Sequence, residues 1–279
     1  MHLKIRKIKD TILKTIIWIC GLITIGILAW ILTYTIANGI SHLSLNFIFS
    51  EFKGDKHGIF PMILNTIYIV LLSVVISTPI GIFSAIYLVE YSKPGKMLSM
   101  IRFAIETLQG IPSIIYGLFG FIFFVTFMQF SFSLLAGALT LSIMVLPTII
   151  RTTEEALKTV PTSYREGSLA LGATKLQTII KVVLPSAIPG ILNSVILSIG
   201  RIVGETAAVY LTAGMVTRFP QSIMDSGRTL SVHLYVLANE GLSFEEAFAT
   251  ATILIITVAI INLITGLIAK RISKSTVGS

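Results

Sequence analysis

Long apolar runs separated by short charged segments are the dominant pattern of this chain. About 20 apolar residues cross a hydrocarbon core, and by that measure the runs predict six membrane-spanning helices. The predicted spans cover about 12–37, 61–89, two spans within the 44 uncharged residues 107–150, then 188–210 and 247–269. The two middle spans would be joined by a tight turn near 129–133. The pattern therefore predicts an all-α integral membrane protein.

Three prolines fall inside the predicted spans. Pro79, Pro112 and Pro147 should kink or interrupt spans two to four, which membrane helices tolerate when neighbouring groups satisfy the freed backbone. The first run follows several lysines, as in a secretory signal. It is too long for the apolar core of such a signal and lacks a clear A-x-A cleavage site, so we expect a retained signal anchor.

Composition supports a membrane environment and excludes several classes of protein. Hydrophobic residues make up 54% of the 279 residues, charged residues 12%, and the mean hydropathy is +0.90, which excludes a water-soluble domain. The net charge of +8 comes from basic residues between apolar runs and not from a basic stripe, so we expect no nucleic acid partner. The single cysteine, Cys20, excludes an internal disulfide, and the sequence has no CxxC or CxxH spacing for a metal.

The distribution of lysine and arginine predicts the orientation in the bilayer. Of the 21 such residues, 16 fall in segments that would be cytoplasmic if the N-terminus is inside, four fall in the opposite loops, and Arg201 lies within a span. Because these residues are enriched on the cytoplasmic side of membrane proteins, both termini are expected there. The sequence contains no linker and no repeat of fixed period, which predicts one membrane domain with a first helix appended.

Arg201 and Glu205 are charged residues four positions apart inside the predicted fifth span. Each charge at mid-bilayer costs roughly 2.5–3.5 kcal/mol, so their presence requires a reason. Arg201 lies about 12 residues after Pro189, roughly 18 Å along a helix, which predicts a position near mid-membrane. One interpretation is a pathway for an anion, with Glu205 one turn away holding Arg201 in register. The other is a structural ion pair that fixes the span to a neighbouring helix.

The segment between spans four and five is the most organised polar part of the sequence. Ser163 and Glu166 fit a capping box at the start of a helix, and Gly172 fits the position just after a helix end. These signals predict a helix from Tyr164 to Leu171. It would lie across the inner face of the membrane.

Small side chains and a second cap complete this segment. Residues Thr174 to Gln177 fit another capping box, which predicts a second short helix that Pro185 ends or bends. Gly167, Ser168 and Ala170 would let another surface approach the first helix closely, as in the docking of a helix into a groove. An ordinary interhelical loop held by its caps is the alternative.

The same loop resembles the EAA-x3-G-x9-I-x-L-P segment of ABC-importer permeases. The matching positions are Glu166, Gly167, Ser168, Gly172, Val182, Leu184 and Pro185. Glycine and serine replace the two alanines and valine replaces isoleucine, and these changes keep residue size. In that family the loop is the coupling helix that seats in a groove of the cytoplasmic ATPase. The resemblance implies an ATPase-coupling role for Ser163, Glu166, Gly167, Ser168, Gly172, Leu184 and Pro185.

Further segments resemble the phosphate-specific transport permeases. They are His57–Pro61, Ile86–Tyr91, Gly110–Leu118, Leu146–Leu157 and Gly200–Thr206, while Thr229–Tyr235 is more similar to the PstA branch than to its PstC partner. The resemblance covers roughly 58–270 and implies a type I ABC importer permease fold with six transmembrane helices. It divides the chain into 1–57, with the N-terminus, first helix and outer loop, a permease domain at 58–271 and a cytoplasmic tail at 272–279.

The resemblance also implies a function and a set of partners. The chain would be the permease subunit of an ATP-driven importer of inorganic phosphate in a bacterial or archaeal cytoplasmic membrane. Its partners would be a PstC-like permease in a heterodimer, two cytoplasmic ABC ATPase subunits and an extracytoplasmic phosphate-binding protein. The sequence has no Walker A motif, so we expect no cofactor in this chain and ATP bound by a partner subunit. A permease for molybdate or sulfate is the closest alternative.

The candidate substrate-pathway residues are Arg201, Glu205 and Arg151. The planar fork of arginine matches phosphate oxygens, but it reads negative charge and not chemical identity. Arg151, with Glu154 and Glu155, lies where span four meets the cytoplasm. The alternative for Arg151 is an ordinary positive residue at the inner end of a helix.

Other features are explained as well by structure as by function. Gly110, Pro112, Gly117 and Gly120 could shape a gate or allow close helix packing. The four histidines lie outside the spans or at their edges, and terminal or solvated positions explain them. An intramembrane enzyme is disfavoured because the spans provide only one arginine and one glutamate and no assembled acid–base set. The ATPase-type loop disfavours an ion channel that acts alone.

Overall fold

The computed structural model describes the backbone of residues 2–53 and 56–277. The elements are α1 His2–Ile40, α2 Leu45–Phe49, antiparallel strands β1 Phe52–Lys53 and β2 Lys56–His57, α3 Phe60–Ile86, α4 Lys96–Gln109, α5 Ser113–Gly120, α6 Leu134–Thr159, α7 Thr162–Ala170, α8 Lys175–Thr178, α9 Leu184–Val203, α10 Ala207–Thr212, α11 Leu230–Asn239 and α12 Phe244–Val277. Three π-helical segments extend or join them: Tyr87–Tyr91 after α3, Phe121–Phe127 after α5 and Ile179–Val183 between α8 and α9. The all-α prediction is confirmed. The described range adds only one short antiparallel pair of two-residue strands.

Several of these helices are long and apolar enough to cross a membrane. Among the described residues they are Lys9–Ile40, Phe60–Tyr91, Leu134–Thr159, Lys175–Val203 and Phe244–Arg271. A sixth candidate is the pair Lys96–Gln109 and Ser113–Phe127, which is bent by 99°. The prediction of a multi-pass membrane protein is confirmed. The first, second, fourth and sixth predicted spans each lie within one continuous helical segment.

The predicted interruption at Pro112 is confirmed. The chain bends there, between α4 and α5, and the third span after Glu106 is shorter than the sequence predicts. Pro112 lacks an amide donor and disfavours helical geometry at the residue before it, so one straight helix does not continue through this point. α5 and its π-helical extension contribute 8 and 7 residues. Their combined length of roughly 22 Å is less than the ~30 Å hydrocarbon core.

The helix that carries the fifth span starts earlier than predicted and runs through Pro185. It begins at Lys175 and continues through the π-helical segment into α9. In that segment the Leu184 amide donates to the carbonyl oxygen of Ile179, five residues back. This wider turn accommodates the proline ring, which would clash with the preceding turn of a regular α-helix. The sequence predicts that Pro185 ends or bends the helix, and the first of these alternatives is wrong because the helix continues through it.

The same helix stops sooner than the predicted span, which extended to residue 210. α9 ends at Val203, Gly204 is its C-terminal cap, and α10 begins at Ala207. Glycine has a low helix propensity because it loses the most backbone entropy on folding, so a helix ends here at little cost. The predicted fifth span is thus two helices with a break between them.

The contact of α3, α6 and α9 forms the centre of the fold. Buried side chains, including Ile69 of α3 and Ile199 of α9, fill the space between these helices. Lipid is as apolar as such side chains, so close packing and hydrogen bonds have to hold membrane helices together. Ser142 donates to the carbonyl oxygen of Ser73 at 3.1 Å, and Ser73 donates to that of Ala138 at 3.2 Å. These bonds join α3 and α6 in both directions.

The helical bundle has two different ends. At one end, α2 and the starts of α3, α11 and α12 enclose an apolar cluster that includes Phe47, Met62 and Leu230; we call this the α11 end. α7 and α8 lie beyond the C-terminus of α3, at the opposite end, which we call the α7 end. α1 packs on α12, where the Thr252 hydroxyl donates to the carbonyl oxygen of Thr35 at 3.4 Å.

Two glycines let α5 lie against α10 and α6. A Cβ added at Gly117 would lie 2.9 Å from the Cα of Ala208. A Cβ at Gly120 would overlap Thr140 and lie 2.8 Å from Cγ2 of Thr212. These distances favour close packing as the reason for the small residues.

We expect Gly120→Ala to destabilise the folded bundle by about 1–3 kcal/mol, because the buried Thr140 and Thr212 leave no room for a methyl group. Thermal unfolding in detergent measures the effect. Gly266→Ala in α12 is the matched control, since a Cβ there meets nothing within 4 Å. Equal stability of the two variants would contradict the packing role.

Candidate functional site

The break after α9 separates the two charged residues that the sequence places one helical turn apart. Arg201 lies half-buried in the last turn of α9, whereas Glu205 lies beyond Val203, before α10. The Glu205 carboxylate accepts a hydrogen bond from the Ala208 amide at 3.2 Å, and its carbonyl oxygen accepts one from Ser231 at 2.7 Å. The predicted arrangement, with Glu205 one turn from Arg201 in the same helix, is therefore wrong.

Helix dipoles explain where the two charges lie. The C-terminus of α9 carries partial negative charge and stabilises the Arg201 guanidinium, while the N-terminus of α10 stabilises the Glu205 carboxylate. Among the described residues no carboxylate lies within 4 Å of the Arg201 guanidinium, and that guanidinium donates no hydrogen bond. Its N–H groups can therefore bind an anion without first breaking an ion pair.

Tyr116 is a neighbour of Arg201 that the sequence did not single out. It lies buried in α5, close enough to Arg201 for an electrostatic interaction. Its hydroxyl donates to the carbonyl oxygen of Leu108 at 2.8 Å, across the bend at Pro112. The residue belongs to the Gly110–Leu118 segment, but its partner became visible only once the bend was known.

Arg151, the other predicted pathway arginine, has a different environment. It is exposed on α6 and lies 3.7 Å from a carboxylate oxygen of Glu106 and 3.4 Å from one of Glu155. Neither contact links it to Arg201 or Glu205. The arrangement suits a residue that ties α4 to α6 as well as it suits an anion pathway.

A buried carboxylate strengthens the same contact between α4 and α6. Glu154 lies 2.5 Å from Nη2 of Arg102 and 2.7 Å from Nζ of Lys158. Its side chain is only 8% exposed, so the two cations are needed to keep the charge in place. The sequence paired Glu154 only with its neighbours in the Leu146–Leu157 segment.

α7 begins differently from the prediction. Its cap is Pro161, the helix starts at Thr162, and no side chain makes the capping hydrogen bond. The predicted capping box of Ser163 and Glu166 is therefore wrong. The geometry of the preceding proline accounts for this, because its fixed φ suits a helix start and its carbonyl oxygen accepts from the Tyr164 amide at 3.2 Å.

The end of α7 and the start of α8 agree with the sequence. Gly172 has φ of +84°, its amide donates to Leu169, and the Ala173 amide donates to Ser168, which together form a Schellman motif. The second predicted capping box, from Thr174 to Gln177, is present with both of its hydrogen bonds. Both predictions are confirmed.

The predicted coupling residues lie at the α7 end, where Ser163 and Gly172 are exposed and Ser168, Leu184 and Pro185 are half-buried. Glu166 and Gly167 are exposed, and Leu171, directly after the helix, is 90% exposed. Pro185, at the start of α9, lines a cavity of about 480 Å³ together with Tyr164 of α7. The fold thus brings the two halves of the motif together.

Glu90 and Arg165 form an ion pair that the sequence did not predict, and both residues are functional candidates. Arg165 of α7 donates to one carboxylate oxygen of Glu90 from Nε at 3.0 Å and from Nη2 at 2.8 Å. Glu90 belongs to the Ile86–Tyr91 segment, whose resemblance to the phosphate-specific transport permeases singled it out in the sequence. The two residues are 75 positions apart, so only the tertiary fold identifies them as partners.

A cavity of about 740 Å³ lies between α5, α10 and the loop before α11. Its lining includes Leu118, Phe132, Tyr210, Met215 and Arg228. Arg228 donates from Nε to the carbonyl oxygen of Met215 at 3.1 Å, and its Nη1 lies 3.2 Å from Nδ1 of His233. Burial lowers the pKa of the Arg228 guanidinium, while Glu240 and Tyr210 oppose this shift. The cavity is mainly apolar with one cation at its wall.

The histidine prediction fails at one position. His233 is fully buried in α11, where its ring packs edge-on against Phe52 with centroids 5.6 Å apart, so the expected solvated position is wrong. The ring lies where α11 meets β1, and this contact shields it from solvent. His42 is exposed, as expected. The side chains of His2 and His57 lie outside the described residues.

The fold is similar to that of a bacterial ABC transporter involved in the import of the acidic polysaccharide alginate. The likeness has a TM-score of 0.66 at 15% identity and covers 91% of this chain and 96% of that chain. At this identity it concerns the fold alone. The chain has the type I ABC importer permease fold that its sequence predicts.

The sequence profile of one family, described as binding-protein-dependent transport system inner membrane component, matches residues 77–277. The probable ABC transporter permease protein YqgI of Bacillus subtilis is 34% identical over 276 residues, covering 92% of this chain and 94% of that protein. The phosphate transport system permease protein PstA of Pasteurella multocida is 31% identical over 279 residues, covering 98% and 99%. The chain belongs to this family of membrane transport components, which are not enzymes.

We expect Gly172→Val to weaken the C-terminus of α7 by roughly 1–2 kcal/mol, because a β-branched residue is strained at its positive φ. Amide hydrogen exchange at Ala173, whose amide donates to Ser168, should become faster. Gly167→Ala is the matched control, since a Cβ there meets nothing within 4 Å and alanine favours a helix. Unchanged exchange in the Gly172→Val protein would contradict the Schellman cap.

Proposed function

We propose that this chain is the permease subunit of an ATP-driven importer that translocates inorganic phosphate across the cytoplasmic membrane. The observation that carries the proposal is the Arg201 guanidinium, half-buried in a membrane protein with no carboxylate within 4 Å in the described residues. Relatives named as phosphate transport permeases, such as PstA of Pasteurella multocida, support phosphate as the substrate.

Phosphate needs charge and donors along its route through a low-dielectric protein. Arginine supplies both, because its planar fork makes two charge-assisted hydrogen bonds to neighbouring phosphate oxygens. Arg201 is the central pathway residue in this proposal. Glu205 supports it indirectly by capping α10, which maintains the helix break. Arg151 is a second, weaker pathway candidate because two carboxylates already neutralise it.

The energy for transport would come from partner subunits. We infer that α7 docks on a cytoplasmic ABC ATPase, supported by its exposed surface and by the resemblance of its loop to the coupling motif. The full assembly would contain a PstC-like permease, two ATPase subunits and an extracytoplasmic phosphate-binding protein. Both termini and the α7 end then face the cytoplasm, in agreement with the 16 basic residues counted there. Closure of the ATPases would rock the two permeases about their interface.

A permease for another oxyanion, molybdate or sulfate, is the alternative. A single arginine recognises negative charge and does not separate these tetrahedral anions by itself. Uptake of radiolabelled phosphate by the reconstituted assembly, with sulfate and molybdate as competitors, tests the substrate directly. Stronger uptake of either competitor than of phosphate would replace the proposed substrate and leave the importer class intact.

We expect Arg201→Gln to abolish most phosphate uptake per assembled complex, because glutamine is a polar side chain of roughly similar length that donates hydrogen bonds but carries no charge. Arg201→Lys should restore only part of the uptake, since an ammonium group does not reproduce the two-donor fork. Arg218→Gln is the matched control, as it removes an exposed arginine from the loop before α11.

The double variant Arg201→Gln with Glu205→Gln separates the two interpretations of these residues. Because the structure shows no pair between them, neutralising both should not restore transport. Full uptake by the double variant would sink the pathway role and make Arg201 a structural partner of Glu205.

We expect Glu166→Lys to weaken co-purification of the ATPase, because it reverses an exposed charge on the surface proposed to dock. The inserted amount of the permease should not change, since the side chain is in solvent. Glu51→Lys, an exposed charge reversal near the α11 end, is the control. Normal ATPase binding by the Glu166→Lys protein would argue against docking through this face of α7.

A further inference from the structure

α7 packs on α8 and on the π-helical segment before α9, and one polar side chain joins it to the ends of α3 and α6. None of its residues is fully buried in the described structure, so apolar packing holds it weakly. Ser168 contacts Thr178 at 2.9 Å, which joins α7 only to α8. Arg165 is the residue that reaches back into the bundle, and its side chain is 18% exposed.

Arg165 connects α7 to two other helices at once. Nε and Nη2 donate to one carboxylate oxygen of Glu90, in the π-helical end of α3. Nη1 donates to the carbonyl oxygen of Val160 at 2.7 Å, and Nη2 donates to that of Leu157 at 2.9 Å. These carbonyls belong to the C-terminus of α6, where helix geometry leaves them without backbone partners. Arg165 thus joins the ends of α3 and α6 to α7.

A second contact joins α8 to the same π-helical turn. Lys175 donates from Nζ to the backbone carbonyl oxygen of Glu90, and its ammonium lies 4.9 Å from the centre of the Tyr91 ring. Both α7, through Arg165, and α8, through Lys175, therefore contact the π-helical turn at the end of α3. Single π-helical turns occur frequently at functional sites.

α3 extends from this turn to the α11 end. There the side-chain amide of Asn65 donates to the carbonyl oxygen of Arg228 at 3.1 Å, and the Leu230 amide donates to the hydroxyl of Thr66 at 3.0 Å. Both contacts hold the loop that precedes α11. α3 and its π-helical end form one continuous segment between Glu90 and these contacts, which is the route by which a displacement at Glu90 would reach the opposite side of the protein.

We propose that the Glu90–Arg165 ion pair transmits the movement of α7 to α3, and so couples ATP hydrolysis to opening and closing of the permease. This inference rests on the proposed function, because it assumes that α7 docks on an ATPase. Glu90 and Arg165 are positioning residues in this scheme and contact neither substrate nor nucleotide. Breaking the pair should leave ATP hydrolysis and phosphate import active, but hydrolysis should no longer be coupled to import.

The test uses the complete assembly in proteoliposomes, with wild type, Glu90→Gln, Arg165→Gln and the double variant. We expect ATPase subunits to remain bound, and the ATP hydrolysed per phosphate imported to rise at least about fivefold, the lower end of typical coupling between sites. The binding protein should also lose its stimulation of ATP hydrolysis. The double variant leaves no unpaired buried charge, so it should assemble normally and still be uncoupled.

Arg102→Gln is the matched control, because it breaks a comparable ion pair, with the buried Glu154, that does not involve α7. Under a merely structural role, Glu90→Gln and Arg102→Gln would lower assembly alike and leave the ratio of ATP to phosphate unchanged. That result, or an unchanged ratio in the assembled double variant, would overturn the coupling role.

The two proposals fail in different ways. A wild-type assembly that imports another oxyanion would overturn the phosphate assignment, and coupling would then be measured with that anion and by stimulation of hydrolysis. A wild-type assembly that imports phosphate, with variants that retain normal coupling, would overturn only the Glu90–Arg165 inference. An absence of both transport and stimulated hydrolysis in the wild type would overturn both proposals.

Discussion

The close contact of α3 with α6 and α9 is the constraint on which the rest of the structure depends. In lipid the burial of apolar surface between helices gains little, so the helices have to approach until backbone and small side chains touch. A Cβ at Gly81 of α3 would lie 2.5 Å from Ile149 of α6, and one at Gly190 of α9 would overlap Ala156. The hydroxyls of Ser73 and Ser142 use the same proximity to form bonds between helices. The three helices therefore behave as one unit that reaches from the α11 end to the α7 end.

The break between α9 and α10, next to this unit, determines the partners of the charged residues Arg201 and Glu205. A backbone inside a membrane protein can leave the helix only where other groups satisfy its polar atoms. After Gly204 the Glu205 carboxylate satisfies one of these polar atoms, because it accepts a hydrogen bond from the amide of Ala208 in α10. The carboxylate therefore interacts with α10. Arg201 is consequently left at a helix end without a carboxylate partner in the described residues. A continuous helix would have put both charges on one face, where they could neutralise each other.

The arginines at the α7 end show the contrast. Arg102 contacts Glu154 of α6, Arg151 contacts Glu106 of α4, and Arg165 contacts Glu90 in the π-helical segment after α3. Each of these guanidinium groups joins one helix end to another and has its charge balanced locally. Among the described residues Arg201 has no carboxylate within 4 Å, and this is the observation on which its proposed role in an anion pathway depends. The polar groups at the α7 end fit the transmission of force between helices.

The sequence by itself determined the membrane class, four of the six spans and the local caps at Gly172 and Thr174. These features depend on hydropathy, on a positive φ or on hydrogen bonds between residues a few positions apart, so the information is local. The sequence also predicted an interruption at Pro112, but only the tertiary structure decided its angle of 99°, the stop at Gly204, the burial of His233 and the partner of each charged side chain. Glu205 could pair with Arg201 or cap a new helix, and packing of α10 against α5 selects the second. Such choices depend on contacts between residues far apart in the chain, and no local pattern contains them.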